Sequence, residues 1–234
     1  MFPSAFSSSI HFAPDGWAGT ASDRPSPTEA LRLMQEGNRR FLAGQSELAE
    51  HDLAHILEHS RKGQQPLATV LGCSDSRVPL ELVLDQHIGD LFVIRVAGNV
   101  VRTATLGTIE YGVDALKTPL LVVMGHTHCG ACTAVANGDE LGGHIPQLVA
   151  PIGDALAAVR QRYSSLEGEA LLNAVIEENV WQSIEDMLRH SSVVRGLVRN
   201  GSLKVKGAVY DIESGAVKWL GPHPRQNVII TELG

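Results

Sequence analysis

The sequence predicts an α/β fold: a mostly parallel central β-sheet flanked by helices, with an N-terminal helical arm and a C-terminal antiparallel edge strand. Three observations carry this. Three short apolar segments, "PLATVLG" (66–72), "DLFVIRVAGN" (90–99) and "PLLVVMG" (119–125), are each rich in Val, Leu or Ile. Continuous apolar runs of that length suit strands covered on both faces, as in a parallel sheet. The segments between them are long enough for helical crossovers, and helices alternating with strands mean one sheet with helices packed around it. Finally, "LKVKGAVYDIESGAVKWLG" near the end alternates about a Ser-Gly turn, the pattern of two hairpin-connected strands.

Taken in order, residues 1–27 are rich in Ser, Pro, Gly and Ala with little periodicity, and are expected to form a loose arm. Residues 28–234 are expected to make a single domain. "TEALRLMQEGNRRFLAGQ" spaces Leu31, Met34 and Phe41 for a helix, with Thr28 as a candidate N-cap. "ELAEHDLAHILEHSRK" reads as a second amphipathic helix. "PLELVLDQ" and "TLGTIEYGVDAL" read as helical crossovers. Beyond Gly130, "GACTAVANGD", "HIPQLVAPIGDALAAVRQRY" and "LLNAVIEENVWQSIEDMLRHSSVVRGLVRNG" give further helices, the last stopped at Asn200-Gly201.

The net charge of -7 leaves no basic stripe for phosphates, which argues against nucleic-acid and anionic-membrane partners. No apolar run is long enough to span a bilayer, and the first residues lack the basic and apolar regions of a signal peptide. A cytoplasmic location is expected. Three cysteines are too few for a disulfide framework and odd in number, so in a reducing compartment they are metal ligands, nucleophiles or buried fillers.

Two of the strand-like segments share a pattern, Pro-Leu-x-x-Val-x-Gly and then a potential metal ligand: Cys73 after the first, His126 after the second. In an open parallel sheet, ligands collect beyond the strands' carboxyl ends. If the two strands are neighbours, Cys73 and His126 converge, and Cys129 joins them through His126-x-x-Cys129. Two thiolates and one imidazole suit Zn2+, with a fourth position closed in structural sites and open in catalytic ones. Arg77 is spaced to hold Asp75 as a bidentate pair. Each feature has a plainer reading, because Ser74, Asp75 and Ser76 could cap a helix begun near Pro79, and Cys73 could be a small buried hydrophobe. The three donors at the ends of two similar strands favour the metal site.

Other candidates are weaker. His51, His55 and His59 would stack on one helix face, a polar surface or interface rather than a site. His128 should turn away from its ligand neighbours. Cys129 and Cys132 make a Cys-x-x-Cys without the usual thioredoxin-like flanks. No Gly-x-Gly-x-x-Gly follows a strand.

"CSDSR" followed by "GHTHCG" resembles the β-class carbonic anhydrases, and the likeness continues through "EGNRRF", "RVAGN" and "IEYGV". The resemblance implies zinc held by Cys73, His126 and Cys129, and Asp75 and Arg77 as a catalytic dyad. It implies reversible hydration of carbon dioxide to bicarbonate by a zinc-bound hydroxide that the dyad orients. It further implies that Gln64 supplies a side-chain amide, often across a dimer interface, and that Phe92 and Tyr111 wall an apolar pocket. Ala97 stands where some members have valine, which implies a roomier pocket, and Gly130 offers a backbone N–H to a substrate oxygen. Some members carry a tryptophan, part of a regulatory bicarbonate site, three residues before the first cysteine. Val70 here, with Gln64, implies the plant-type subset. A homodimer or tetramer is expected. Two alternatives stay open: a carbonyl sulfide or carbon disulfide hydrolase on the same scaffold, and a non-catalytic zinc protein in which Asp75 permanently closes the fourth position. In the enzyme itself Asp75 is also a candidate fourth ligand in a closed state reached if Arg77 swings away.

Overall fold

Five strands form one sheet in the computed structural model, which describes residues 24–48 and 63–233. β1 (Ala68–Gly72), β2 (Leu91–Arg95), β3 (Leu120–His126) and β4 (Lys204–Tyr210) run parallel. β5 (Val217–Gly221) pairs antiparallel with β4 at one edge. The order is β2-β1-β3-β4-β5. The chain leaves β1 to one side for β2 and returns past it to build β3, so the strand order reverses between β1 and β3. A crevice opens at the carboxyl ends of strands at such a reversal.

β1 and β3 are buried along their whole length, as their unbroken apolar runs require. Successive side chains alternate between the faces. Val70, Leu120, Val122 and Met124 join Ala30, Met34 and Leu80 on one side. Leu71, Leu121 and Val123 join Val180, Ile184 and Met187 on the other. The segment read as a strand over 90–99 stops at Arg95. Gly98 and Asn99 have φ of 70° and 45°, and Ala97–Asn99 winds into a 3₁₀ turn that no strand can include.

α1 (Pro27–Leu42) starts one residue before the candidate cap. Ser26, not Thr28, is its N-cap: the Ser26 hydroxyl accepts the Glu29 N–H at 3.2 Å, and Pro27 takes the first helical position, where its missing N–H costs nothing. α2 (Leu80–Val83) is a single turn. α3 (Thr103–Glu110) runs on into a π turn at Tyr111–Ala115. α4 (Gly130–Asn137), α5 (Ile145–Arg162), α6 (Gly168–His190) and α7 (Ser192–Arg199) follow.

The long helical stretch ending at Asn200-Gly201 is thus two helices. Ser191, at φ -112° and ψ 108°, breaks it, and its hydroxyl accepts the Val194 N–H at 3.0 Å as the cap of α7. The closing hairpin turns at Gly215 with φ 81°, and α8 (Gln226–Glu232), which the sequence reading did not anticipate, ends the chain. The second amphipathic helix, with His51, His55 and His59, and residues 1–23 of the arm lie outside the described residues. No helix among the described residues is long and apolar enough to cross a membrane.

Candidate metal centre

Parallel register builds the site. Gly72 of β1 faces Met124 of β3, so the next residue, Cys73, leaves the sheet beside the end of β3, where His126 is the last strand residue. Cys129 follows as the N-cap of α4. The donor atoms of Cys73, His126 and Cys129 lie within 4.8 Å of one another, and all three residues are buried.

The imidazole is already committed to one face. Its Nδ1 lies 2.9 Å from the Thr127 carbonyl, which only an N–H can satisfy, leaving the lone pair on Nε2. That buried Nε2 has no hydrogen-bond partner among the described residues. An orphaned buried acceptor costs ~1–3 kcal/mol, a penalty that a bound cation removes. The sulfurs point to the same conclusion. The neighbouring Cys129 thiol and burial push the Cys73 thiol up to about 12, against the opposing pull of His126 and the Gly98 N–H. The Cys132 thiol, with burial, pushes Cys129 up to about 12, although Cys73 pulls it down. Thiols that resist ionisation need a divalent cation to hold them as thiolates, and two soft sulfurs with one imidazole match zinc. The residues fit that ion.

Asp75 sits at the rim. Its Oδ1 accepts from Arg77 Nε at 3.0 Å and from the Arg77 backbone N–H at 3.0 Å, and its Oδ2 accepts from the guanidinium at 2.8 Å. The Arg77 guanidinium holds this carboxyl well below the usual carboxylate range despite some burial. Oδ2 is 3.9 Å from His126 Nε2, so an ionised carboxylate faces the donor cluster while the arginine keeps it. The same guanidinium donates to the His128 carbonyl at 3.2 Å. His128, at φ 55°, turns its ring outward to within 3.3 Å of Glu213.

Several supports carry no obvious sequence signal. Arg95 donates to the carbonyls of Cys73 at 3.0 Å and Asp75 at 2.5 Å, pinning the loop after β1. The Gly98 N–H donates to Cys73 Sγ at 3.3 Å. A Cβ on Gly98 would fall 2.7 Å from Ile152 Cδ1, and its φ of 70° already disfavours any side chain. From α6, Asn179 donates to the Gly98 carbonyl at 2.7 Å and Ser183 to the Asn99 carbonyl at 3.0 Å. A Gly-Asn pair just after a strand, and buried Asn and Ser on a helix's apolar face, are the faint signals that could have drawn attention to them.

The remaining site residues divide. Ala97 adjoins Gly98, and Gly130 opens α4 beside Cys129 with empty space above its Cα. Phe92, Tyr111 and Gln64 lie elsewhere. Phe92 pairs with Thr69, four residues before Cys73, which is roughly 13 Å along the strand. Its ring stands 5.8 Å from that of Tyr111, and both flank Gly112, where a Cβ would fall 2.4 Å from Thr69 Oγ1. Gln64 precedes β1 altogether. Within one chain Phe92 and Tyr111 thus stand at the far end of the strands from the donor cluster.

The fold and the donor set define a mononuclear zinc-enzyme centre at the crevice of an α/β sheet. A family model described as carbonic anhydrase matches residues 68–217. Carbonic anhydrase 2 of Mycobacterium tuberculosis is 33% identical over 194 residues, covering 81% of this chain and 91% of the relative. The carbonic anhydrase of Pseudomonas aeruginosa is 36% identical over 180 residues, covering 72% and 80%. Among solved structures, the β-carbonic anhydrase CafA of Aspergillus fumigatus superposes with a TM-score of 0.70 at 27% identity, covering 87% of this chain and 98% of that one. A tetrameric β-carbonic anhydrase of Sordaria macrospora gives 0.67 at 26%, covering 82% and 96%. The chain belongs to the β-class carbonic anhydrases. It is a zinc lyase that hydrates carbon dioxide reversibly to bicarbonate and a proton. The alternatives of a sulfur-gas hydrolase and a closed structural zinc protein are not favoured.

Proposed function

We propose that Cys73, His126 and Cys129 hold the zinc ion, and that Asp75, fixed by Arg77, is the group that orients the attacking oxygen. The observation that carries this reading is the unpartnered buried Nε2 of His126, facing two sulfurs and an ionised carboxylate. Zinc supplies, when bound, an acidified water near neutral pH and a positive field for developing negative charge. The chain does the rest. Asp75 stays deprotonated because its arginine partner favours the charged form, so it accepts a hydrogen from the nucleophile and aims a lone pair outward. With the carboxylate engaged in this way, it does not take the fourth metal position. The Gly130 N–H, at the start of α4 with open space before it, donates to the oxygen on which charge develops.

The apolar walls come from a second copy. Phe92 lies on β2, the edge strand of the sheet among the described residues, beside Tyr111, and Gln64 precedes β1 at the same end. A partner copy that brings its Gln64, Phe92 and Tyr111 to the Ala97 side of this cluster completes a small dry pocket for a neutral gas. The smallest competent unit is then a homodimer, and the tetrameric Sordaria macrospora relative supports a further pairing. Gln64 in place, and Val70 where some members have tryptophan, support the plant-type subset. The described residues from Pro27 onward act as one domain, and three free cysteines, two of them in the donor cluster, support a cytoplasmic location.

Stopped-flow hydration of carbon dioxide across pH, with zinc analysis of the same sample, tests this. Hydration in proportion to zinc content is expected. A full zinc complement with no hydration up to a pH of about 9 would mean a closed structural site instead.

A further inference from the structure

Cys132 has no task in the zinc reading. It occupies the first turn of α4, three residues after Cys129, and each is only 1% exposed. Both belong to the apolar cluster that contains Cys73, Val100 and Ile152. The Cys132 thiol is near enough to push the Cys129 thiol up. Even so, Cys132 stands outside the group of three donors. Neither cysteine is in a disulfide. A cysteine at a helix N-cap, with a second thiol one turn inside, is the arrangement in which the second sulfur resolves oxidation of the first.

We propose that Cys129 and Cys132 form an oxidation-sensitive dithiol, so that a peroxide converts the metal ligand Cys129 into half of a disulfide and dismantles the donor set. The proposal rests on the reading that Cys129 is a zinc donor. In the first step the Cys129 sulfur attacks one peroxide oxygen and the O–O bond breaks. Cys129 becomes a sulfenic acid, and the departing oxygen leaves as water after taking up a proton. In the second step the Cys132 sulfur attacks the Cys129 sulfur, the S–O bond breaks, and the hydroxyl leaves as water with the Cys132 proton. The Cys129 thiolate and the Cys132 thiol together lose two electrons and one proton, a second proton comes from solvent, and one peroxide is reduced to two waters.

Position selects both the partner and the oxidant. Cys73 competes as a partner for Cys129, but it is held by the Gly98 N–H at its sulfur and by Arg95 at its carbonyl. Cys132 shares a helical turn with Cys129. Sulfurs this deeply buried are closed to a bulky disulfide such as oxidised glutathione, whereas a hydroperoxide can pass beside the exposed, unobstructed Gly130. After oxidation only Cys73 and His126 remain as donors, too few for a tetrahedral zinc site to persist. Reduction by a dithiol restores the third.

The experiment exposes zinc-loaded full-length protein to hydrogen peroxide with a zinc-responsive dye present, followed by peptide mapping. Wild type should release its zinc, yield a Cys129–Cys132 linked peptide, and take zinc up again after dithiothreitol. Cys132→Ser should start with the same zinc content. Under peroxide it should yield no linked peptide, and dithiothreitol should not restore zinc binding, because Cys129 passes on to sulfinic or sulfonic acid. Cys132→Ala serves as a second variant if the serine disturbs the apolar cluster, with far-UV circular dichroism reporting the fold. A Cys73–Cys129 linked peptide in wild type would overturn the proposal. So would full recovery by dithiothreitol in both variants, or thiols unchanged at peroxide levels that oxidise the protein's methionines. If the untreated protein holds no zinc, the metal reading fails, while the peptide map still reports on the dithiol.

Discussion

The two ends of β1 are built on different logic. At its carboxyl end every donor belongs to one chain: Cys73 from β1, His126 from β3 and Cys129 from the cap of α4, gathered by the parallel register of two buried strands. At its amino end Gln64 precedes the strand, and Phe92 of the neighbouring edge strand β2, with Tyr111 beside it, stands away from those donors. In the proposed reading the first end is fixed by folding, and the second acquires its use by association. If that reading holds, metal content and catalysis should separate experimentally, the first following the monomer and the second the assembly.

The largest effect tests the carboxyl end directly. Cys73→Ser should strip zinc and reduce hydration to the background rate, read by metal analysis beside stopped-flow assay. Asp75→Asn should keep its zinc but lose about a hundredfold or more in kcat, the size typical of a lost proton-handling group. Full activity in that variant would contradict the orienting role.

Gly98→Ala should cost about 2 kcal/mol in a denaturant melt, because its φ is left-handed and Ile152 occupies the space. A neutral result would show that the carboxyl end yields more easily than its packing implies. At the amino end, Gln64→Ala should lower activity about tenfold, the worth of one hydrogen bond, with zinc untouched. Dilution below the dissociation constant of the dimer should likewise abolish activity while zinc stays bound.

The smallest effect concerns Asp85, just before β2. Its carboxylate is buried, which raises its pKa, but bonds from Ser46, Arg40 and the Glu47 N–H outweigh burial and leave it lowered. A carboxyl whose folded pKa is depressed contributes stability above its unfolded pKa of about 4 and loses it as pH falls further. Arg40→Ala should shrink that acid-side decline in a melt followed against pH.

Much of this was legible before any coordinates. Strands buried on both faces must be apolar throughout, so β1 and β3 declared themselves, and the donors beyond their glycines followed. Zinc-type residues are also rare enough that three at matched strand ends stand out. What escaped notice depends on neighbours that the sequence does not pair. The end of β2 was set by the left-handed Gly98 and Asn99, and the break at Ser191 by a serine that caps and also donates to Glu110 at 2.6 Å. The roles of Arg95, Asn179 and Ser183 are hydrogen bonds to backbone carbonyls far along the chain, which leave no periodic trace. The sequence does not show that Phe92 and Tyr111 stand at the opposite end of the strands from the donors; only the sheet register does.

Arg77 reaches from the loop after β1 to the carbonyl of His128 in the loop after β3. That makes it a strut between two donor-bearing segments as well as a counter-ion. A lysine would preserve the charge but not the planar fork that engages a carboxylate and a carbonyl together. Arg77→Lys should therefore betray itself first as a faster zinc off-rate, before any change in the pH at which the enzyme works.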